Sequence, residues 1–137
     1  MIKDLHDGCI LAYATGSDQT VRLVLKTIRA AVANAGPMSK QLILHSDQGT
    51  QYTSDKYSKE LAAAGITPSM SSPGTPLDNA AAESFFSSMK TEWVRNTSHM
   101  SNAEVSKLIQ DYINFYNNVR IRLSCGAAPM EKRREAA

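Results

Sequence analysis

The stretch LILHSDQGTQY, residues 42–52, places three branched aliphatic residues in a row and then a carboxylate, Asp47. A continuous apolar run of this length, followed by turn-forming polar residues, is typical of a buried strand. The sequence therefore predicts a strand over Leu42–His45, with Asp47 just past its end on a turn in which Gly49 has a positive φ. A charge at this position lies at the rim of the predicted sheet. Its role depends on which other side chains it meets there.

The composition is that of a small globular protein. The 137 residues are 42% hydrophobic and 20% charged, which predicts a single domain over 1–137 with one core. No segment approaches the roughly 18 consecutive apolar residues of a membrane helix, and no charged-then-apolar leader opens the chain. Cys9 and Cys125 match no metal-binding spacing, so we interpret them as reduced thiols of a cytosolic protein, with a disulfide as the alternative.

Charge gives only a weak indication of a polyanionic partner. The formal net charge is +2 at pH 7. Basic residues nevertheless concentrate towards the C-terminus, in EKRREAA at 131–137 and at Arg120 and Arg122. Such a stretch either forms a solvated face or contacts a phosphate backbone, and the sequence leaves both interpretations open.

Predicted strands and helices alternate along the chain, which indicates an α/β layered domain with helices packed on a sheet. The helices are placed by apolar residues at helical spacing and by capping signals, and the loop by its proline and glycine content. The predicted elements are a strand at 8–15, a helix from an Asp18 N-cap to Gly36–Pro37, the strand at 42–45, a helix from Ser54 to Gly65, a strand at 66–70, a loop at 71–79, a helix at 78–93 and a last helix that a capping box at Ser101 and Glu104 opens.

The helix predicted over 78–93 has two chemically different faces. Large apolar residues recur every four positions and form a predicted buried stripe. An amide, a carboxylate and an ammonium recur at offsets of four, seven and eleven positions, which keeps them together on the roughly opposite face. The stripe contains Phe85, Met89 and Trp93, and the polar face contains Asn79, Glu83 and Lys90.

Glu83 is the candidate partner of Asp47. In one interpretation Glu83 is simply solvated and Asp47 caps the helix that follows its strand. In the other, the two carboxylates hold Mg²⁺ or Mn²⁺, because hard cations of this kind take oxygen ligands and often sit with phosphates. The residues alone leave the two interpretations open.

Three blocks of sequence, in this order, resemble a known family. They are HSDQGTQYTS at 45–54, GITPSMSSPGTPLDNAAAESFFSSMKTE at 65–92 and YINFYNNVRIRLS at 112–124. They look like the catalytic core of bacterial insertion-sequence transposases of the OrfB type, which have a retroviral-integrase-type core with an RNase H-like fold and an Asp-Asp-Glu metal triad. The 35 residues between Asp47 and Glu83 match the spacing between the family's second and third acids.

The resemblance implies a role for each matching residue. Asp47 corresponds to the second acid and Glu83 to the third, so both would be catalytic ligands of Mg²⁺ or Mn²⁺ in cleavage and strand transfer at DNA phosphodiesters. The implied partners are DNA, at the element ends and the target, and further copies of the chain, in the bacterial cytosol. The residues to which the resemblance gives DNA contacts are Asn79, Lys90, Arg120 and Arg122.

Two further features lie next to the predicted site. His45 either supports the acids through hydrogen bonds or is an ordinary structural histidine at a strand end. The segment Ser71–Leu77 corresponds to the family's mobile active-site loop.

Other residues are given no chemical role. Ser84 is adjacent to an acid without an evident histidine base, so a serine nucleophile is rejected. Tyr112 and Tyr116 are predicted to be core residues at helical spacing.

The family's first acid has no counterpart in the sequence. Asp4 resembles a non-catalytic acid of the family, so we expect the chain to begin inside the fold, after the strand that carries the first acid. Each metal ion would then have one protein carboxylate, which is too little to hold Mg²⁺, and the strands beside the missing one would have unpaired edges. We therefore expect the chain to be inactive on its own.

Three functional classes follow from these observations. The first is a transposase core, a metal-dependent polynucleotidyl transferase. The second is a non-catalytic DNA-binding or self-associating remnant of the same fold, which the missing first acid favours. The third, a small-molecule-binding α/β module, would need a Gly-rich phosphate loop, for which the isolated GTP at 74–76 is weak evidence.

Overall fold

A computed structural model describes residues 1–35, 42–72, 79–95, 97–123 and 126–136. Strands and helices alternate through the first part of the chain, and helices follow one another in the last part. The elements are β1 (Ile2–Lys3), β2 (Ile10–Ala12), α1 (Val21–Ala35), β3 (Leu42–Ser46), α2 (Asp55–Ala63), β4 (Ile66–Met70), α3 (Ala80–Glu92), a 3₁₀ turn (Thr97–His99), α4 (Asn102–Asn118) and α5 (Pro129–Glu135).

The chain divides into two compact units. The first comprises Met1–Ile2 and Leu11–Ala80, and the second comprises Lys3–Ile10 and Ala81–Ala137. The single domain expected over 1–137 stays a prediction. No helix in the described ranges has both the length and the apolar character needed to cross a membrane.

The first unit is built around the parallel strands β3 and β4, which α2 connects. Leu42 pairs with Ile66 and Ser46 with Met70, so the two strands run in step from start to end. A parallel pair needs a crossover connection of this kind. The strands predicted at 42–45 and 66–70 are thereby confirmed, the first of them one residue longer than predicted.

The core of the first unit lies where α1 and α2 pack. Ile28, Tyr57 and Leu61 are at most 2% exposed. Because fully burying a large apolar side chain contributes roughly 1.5–3 kcal/mol, these residues account for much of the unit's stability. The partly buried residues packed against them are Ile2, Val24, Leu25, Val32, Leu44, Tyr52 and Ile66.

Capping explains where the helices of the first unit begin. The prediction that Asp18 caps α1 is wrong, because the hydroxyl of Thr20, directly before the helix, accepts a hydrogen bond from Leu23 N at 3.2 Å. Ser54 caps α2 as predicted, accepting from the Tyr57 N–H. The predicted stop signal of α1, Gly36–Pro37, lies outside the described residues, and the helix ends at Ala35.

The strand predicted at 8–15 is shorter than expected, since β2 covers only Ile10–Ala12. The residues before it form a tight turn, in which Asp4 N donates to Cys9 O at 2.8 Å. Gly8 has a φ of 81°, and a Cβ there would collide with the Arg122 guanidinium, so glycine is required. The short strands β1 and β2 pair with each other.

Aromatic side chains form the core of the second unit. Phe85 of α3 is 2% exposed and meets Tyr116 of α4 edge to face, with ring centroids 4.9 Å apart. Tyr112 and Tyr116 are buried, which confirms that they are core residues. The predicted stripe of α3 is wrong at its last member, because Trp93 is 38% exposed and stacks on Phe115.

The ends of α4 and the tail that follows it show one confirmed signal and one missed element. The capping box of Ser101 and Glu104 opens α4 as predicted. The seven-residue helix α5 was not predicted, because its residues are mostly charged and have no apolar period.

A side chain near the end of α4 bonds to the backbone of β2. The Asn117 side chain accepts from Ile10 N at 2.9 Å and donates to Ile10 O at 3.0 Å.

A partly buried ion-pair cluster joins the turn at Asp4–Gly8 to α5. Arg133 Nη1 donates to Asp7 Oδ2 at 2.8 Å and to Asp4 Oδ2 at 3.2 Å, and the Asp7 side chain is 4% exposed. Asp7 Oδ1 accepts from Cys9 N at 2.8 Å. In this setting burial, reinforced by the charge of Asp7, raises the pKa of the free Cys9 thiol to about 11. Arg133 is therefore part of the fold rather than of a solvated basic face.

Candidate metal and nucleic-acid site

Asp47 lies where the predicted strand ends, directly after β3. Its side chain is exposed, and its Oδ1 accepts a hydrogen bond from Gly49 N at 3.1 Å, which fixes the carboxylate on the turn. Because Ser54 caps α2, the interpretation in which Asp47 caps that helix is wrong. What remains is an exposed carboxylate, held at one oxygen, at the carboxyl end of a parallel strand.

Gly49 lies close to the polar side chains of its own turn and has ordinary backbone angles. The prediction of a positive φ is wrong, since the described glycines with positive φ are at other positions. A Cβ on Gly49 would lie 2.9 Å from Gln51 Nε2 and 3.1 Å from Asp47 Oδ1. A side chain at Gly49 would therefore move the flexible end of Gln51 and press on the Asp47 carboxylate.

His45 ties the two strands together beside Asp47. Its Nδ1 lies 2.9 Å from Ser69 Oγ and its Nε2 lies 3.0 Å from Ser71 Oγ, so both ring nitrogens have hydroxyl partners. Gln48 adds a third link, because its amide donates to Ser71 O at 3.0 Å. These contacts give His45 a structural function, and its support of a metal site stays a prediction.

Tyr52 is a neighbour of Asp47 that sequence reasoning missed. Burial, and secondarily the negative charge of Asp47, raise the pKa of the Tyr52 phenol. The ring meets Tyr57 edge to face, with centroids 5.5 Å apart. Nothing in the sequence pattern singles out Tyr52, since it lies in an irregular turn with no period.

Glu83 belongs to the second unit, whereas Asp47 belongs to the first. Glu83 is exposed in the first turn of α3, and Lys90 is exposed in its last turn. Phe85 and Met89 are buried on the other side of the same helix, so the predicted faces of α3 are confirmed at these four residues. Asn79, half-buried, immediately precedes α3.

The two arginines predicted to contact DNA have protein partners. Arg120 forms a bidentate pair with Glu92, in which Nη2 donates to Oε1 at 2.7 Å and Nε donates to Oε2 at 3.0 Å. Arg122 Nη1 donates to Asp7 O at 2.9 Å. A contact of either residue with DNA stays a prediction, and such a contact would be made by a guanidinium that the fold already orients.

The Arg120–Glu92 pair makes stability dependent on pH. The hydrogen bond from Arg120, and further the one from Tyr112, lower the pKa of the Glu92 carboxyl below its ordinary value of 4.5. A depressed folded-state pKa stabilises the fold above the unfolded value, and this contribution disappears as the pH falls through the folded value. A Glu92→Gln variant should therefore be less stable than the unaltered chain at pH 7, with a difference that shrinks below pH 4.5. Urea unfolding from pH 7 to pH 3 checks this, and a difference independent of pH would contradict it.

The donor chemistry of the two acids fits a hard cation, although the number of donors is small. Carboxylate oxygens such as those of Asp47 and Glu83 are the ligands that Mg²⁺ and Mn²⁺ prefer. Within the described ranges, no group of three or more His, Cys, Asp or Glu residues is arranged to hold a metal ion. The acids thus fit in type, and the remaining coordination sites would need other ligands.

Known proteins are similar to this chain over nearly its whole length. A family described as "Integrase core domain" matches residues 1–76, and a second family of the same description matches residues 64–129. A probable transposase for insertion sequence element IS1353 of Shigella flexneri is 35% identical over 135 residues, covering 96% of this chain and 26% of the relative. An uncharacterized transposase-like protein of Haemophilus influenzae is 37% identical over 121 residues, covering 88% of this chain and 55% of the relative. The chain therefore spans about half, or less, of the curated relatives that it matches.

A solved structure supports the fold. The HTLV-2 integrase catalytic core domain, determined in complex with magnesium in a trimeric form, superposes with a TM-score of 0.73 at 13% identity, covering 94% of this chain and 79% of that one. The similarity confirms the predicted α/β, RNase H-like class of fold. The sequence relatives confirm the resemblance to insertion-sequence transposases.

Proposed function

Since the chain belongs to the integrase core domain family, we propose that Asp47 and Glu83 are the second and third acids of an Asp-Asp-Glu triad in a transposase catalytic core. One observation carries this proposal. Two exposed carboxylates with 35 residues between them, one at a strand end and one on the polar face of a helix, lie within the residues that the two family matches cover. The activity of such a core in an intact transposase would be DNA cleavage and strand transfer, and the inactivity expected of this chain on its own stays a prediction.

Asp47 and Glu83 would hold Mg²⁺ or Mn²⁺. When bound, such ions supply nucleophile activation and stabilisation of the leaving oxygen at a phosphodiester. The chain's own residues would hold the metal-binding carboxylates in place. The N–H of Gly49 fixes one oxygen of Asp47, and His45 holds the strand end that carries it. Lys90, two turns beyond Glu83 on the same face of α3, would bind a phosphate.

The proposed partner is DNA, bound in the bacterial cytosol by a homo-oligomer. Asn79, Lys90, Arg120 and Arg122 are the proposed contacts. Because such contacts are mainly ionic, we expect weak binding with a strong dependence on salt concentration. The pairing of Arg120 with Glu92 would orient its guanidinium before DNA arrives.

A second candidate is a non-catalytic DNA-binding or self-associating protein of the same fold. The observation that favours it is that Arg133 holds the carboxylates of both Asp4 and Asp7. These acids, the first in the chain, are therefore engaged within the second unit rather than presented as metal ligands. In this candidate Asp47 and Glu83 bind no ion.

Metal binding decides between the two candidates. If Asp47 and Glu83 hold an ion, isothermal titration with Mn²⁺ shows binding by the unaltered chain that Asp47→Asn and Glu83→Gln each weaken at least about tenfold, since each removes an anionic ligand. Asp55→Asn, which removes an exposed acid from the first turn of α2, is the matched control and should bind as the unaltered chain does.

The other outcomes are equally informative. Equal Mn²⁺ affinity of the Asp47 and Glu83 variants and the unaltered chain would exclude these acids as ligands. Absence of Mn²⁺ binding by the unaltered chain would favour the non-catalytic candidate.

A further inference from the structure

A cavity of about 260 Å³ opens on the second unit between α3, the end of α4 and the segment that follows α4. We call it the Tyr116 pocket. Its volume is below the roughly 300–1,000 Å³ of pockets that take drug-sized ligands, so it suits a small group. The polar residues that line it are Lys3, Ser84, Ser88, Tyr116, Arg120 and Arg122.

Two cations flank one aromatic ring in this pocket. Lys3 Nζ lies 5.6 Å from the centroid of the Tyr116 ring, and Arg120 Cζ lies at the same distance. Lys3 also donates to Ala81 O at 3.2 Å, which fixes its ammonium at the wall. Such cation–π contacts orient the charges without neutralising them.

The lining is suited to an anion. Three basic residues and two serines line the pocket, and none of its lining residues within the described part of the chain is acidic. Glu92 neutralises Arg120 from outside the lining, and the described partner of Lys3 is a carbonyl, which carries no net charge. Ser84 and Ser88, one turn apart on α3, add hydroxyl donors. Ammonium, guanidinium and hydroxyl groups are the side chains that most often bind phosphate oxygens.

The mouth of the pocket is apolar. Ile121 is 63% exposed and Leu123 is 101% exposed, although both line the cavity. An inorganic anion has no apolar atoms to pack against this rim. The sugar carbons on either side of a backbone phosphate would pack against it. The rim thus favours a phosphate that is part of a chain over a free one.

We propose that the Tyr116 pocket binds one phosphodiester group of a nucleic-acid backbone. The proposal rests on the proposed function and adds a site to it, since Ser84 directly follows Glu83 in α3. A phosphate held by Lys3, Ser84 and Ser88 fixes the strand along the helix that carries the third acid. This contact needs no metal ion, so it is separable from the triad.

The test is DNA binding in EDTA, where the acids have no metal to hold. Fluorescence anisotropy with a labelled 20-nucleotide duplex should show that Ser84→Asp and Ser88→Asp, each placing a negative charge in the pocket, weaken binding about tenfold. Lys3→Gln should lower the slope of log Kd against log[KCl] by about one, the value for one phosphate contact. Ser58→Asp, with the same charge change at an exposed position of α2, is the matched control and should leave affinity unchanged.

Two arms separate the alternatives. Thermal melting shows that each variant is folded, and Ser84→Asp serves as the decisive variant if Ser88→Asp is unfolded, because Ser84 is exposed. Unchanged DNA affinity of Ser84→Asp would overturn the proposal. Inorganic phosphate that binds in the pocket without lowering the affinity for DNA would also overturn the proposal, in favour of a free-anion site. Failure of the unaltered chain to bind DNA at all would overturn the proposed function and the pocket assignment with it.

Discussion

An Arg133→Ala variant should lose about 3–5 kcal/mol of unfolding free energy, because it leaves the Asp7 carboxylate buried without its counter-charge. The Asp7 side chain is 4% exposed, and Cys9 N is the hydrogen-bond donor that remains to it. Trp93, the single tryptophan of the chain, lies in the second unit, which also contains Arg133 and Asp7. Urea unfolding followed by its fluorescence therefore reports the loss directly.

The chain offers a matched exposed pair as the control. Arg29 binds Glu60 at 2.7 Å, but the Arg29 side chain is 66% exposed. Exposed ion pairs of this kind contribute little to stability, since water screens the charges. Arg29→Ala, measured by circular dichroism in urea together with Arg133→Ala, should therefore be nearly neutral. Equal losses in the two variants would show that the Asp7–Arg133 pair is not energetically buried.

A Phe85→Ala variant should be destabilised by about 3–5 kcal/mol, the usual cost of truncating a buried phenylalanine. Phe85 is 2% exposed and touches both Tyr112 and Tyr116, so the substitution leaves a cavity between α3 and α4. The expected result is a lower urea midpoint with an unchanged slope, measured by Trp93 fluorescence.

The neighbouring residue provides the control for Phe85. Phe86 lies in the same helix but is 41% exposed, and its contact is an edge-to-face one with Phe85. Phe86→Ala should cost about 1 kcal/mol, the value of one such aromatic contact. Both variants change helix propensity alike, so their difference isolates burial. A loss for Phe86→Ala as large as that for Phe85→Ala would place the core of this unit elsewhere.

The features that the sequence predicted well depend on short-range signals. The strand at Leu42 follows from a continuous apolar run, and the caps at Ser54 and Ser101 follow from side chains that bond to the backbone three residues on. Asp18 failed as a cap because Thr20, two residues later, was closer to the first helical turn. Competing caps within one turn cannot be ranked by pattern alone.

The features that the sequence did not predict depend on distant pairings. Arg133 bonds to Asp7 across 126 positions, and Arg120 bonds to Glu92 across 28. No local pattern indicates such partners, and the basic tail looked like a solvated or DNA-binding stretch for that reason. The placement of Asp47 and Glu83 was predictable, since a strand end and a helix face are local properties.

The contact between Asn117 and Ile10 has a consequence for how the protein behaves in a crowded solution. With one amide group, Asn117 satisfies both the N–H and the carbonyl of Ile10, as the peptide group of an adjacent strand would. At that residue β2 therefore offers no open backbone groups to a foreign strand. Unprotected edges are where sheets recruit other chains and begin to aggregate. A single side chain, projecting from a helix, thus closes one residue of a three-residue strand to pairing with other chains.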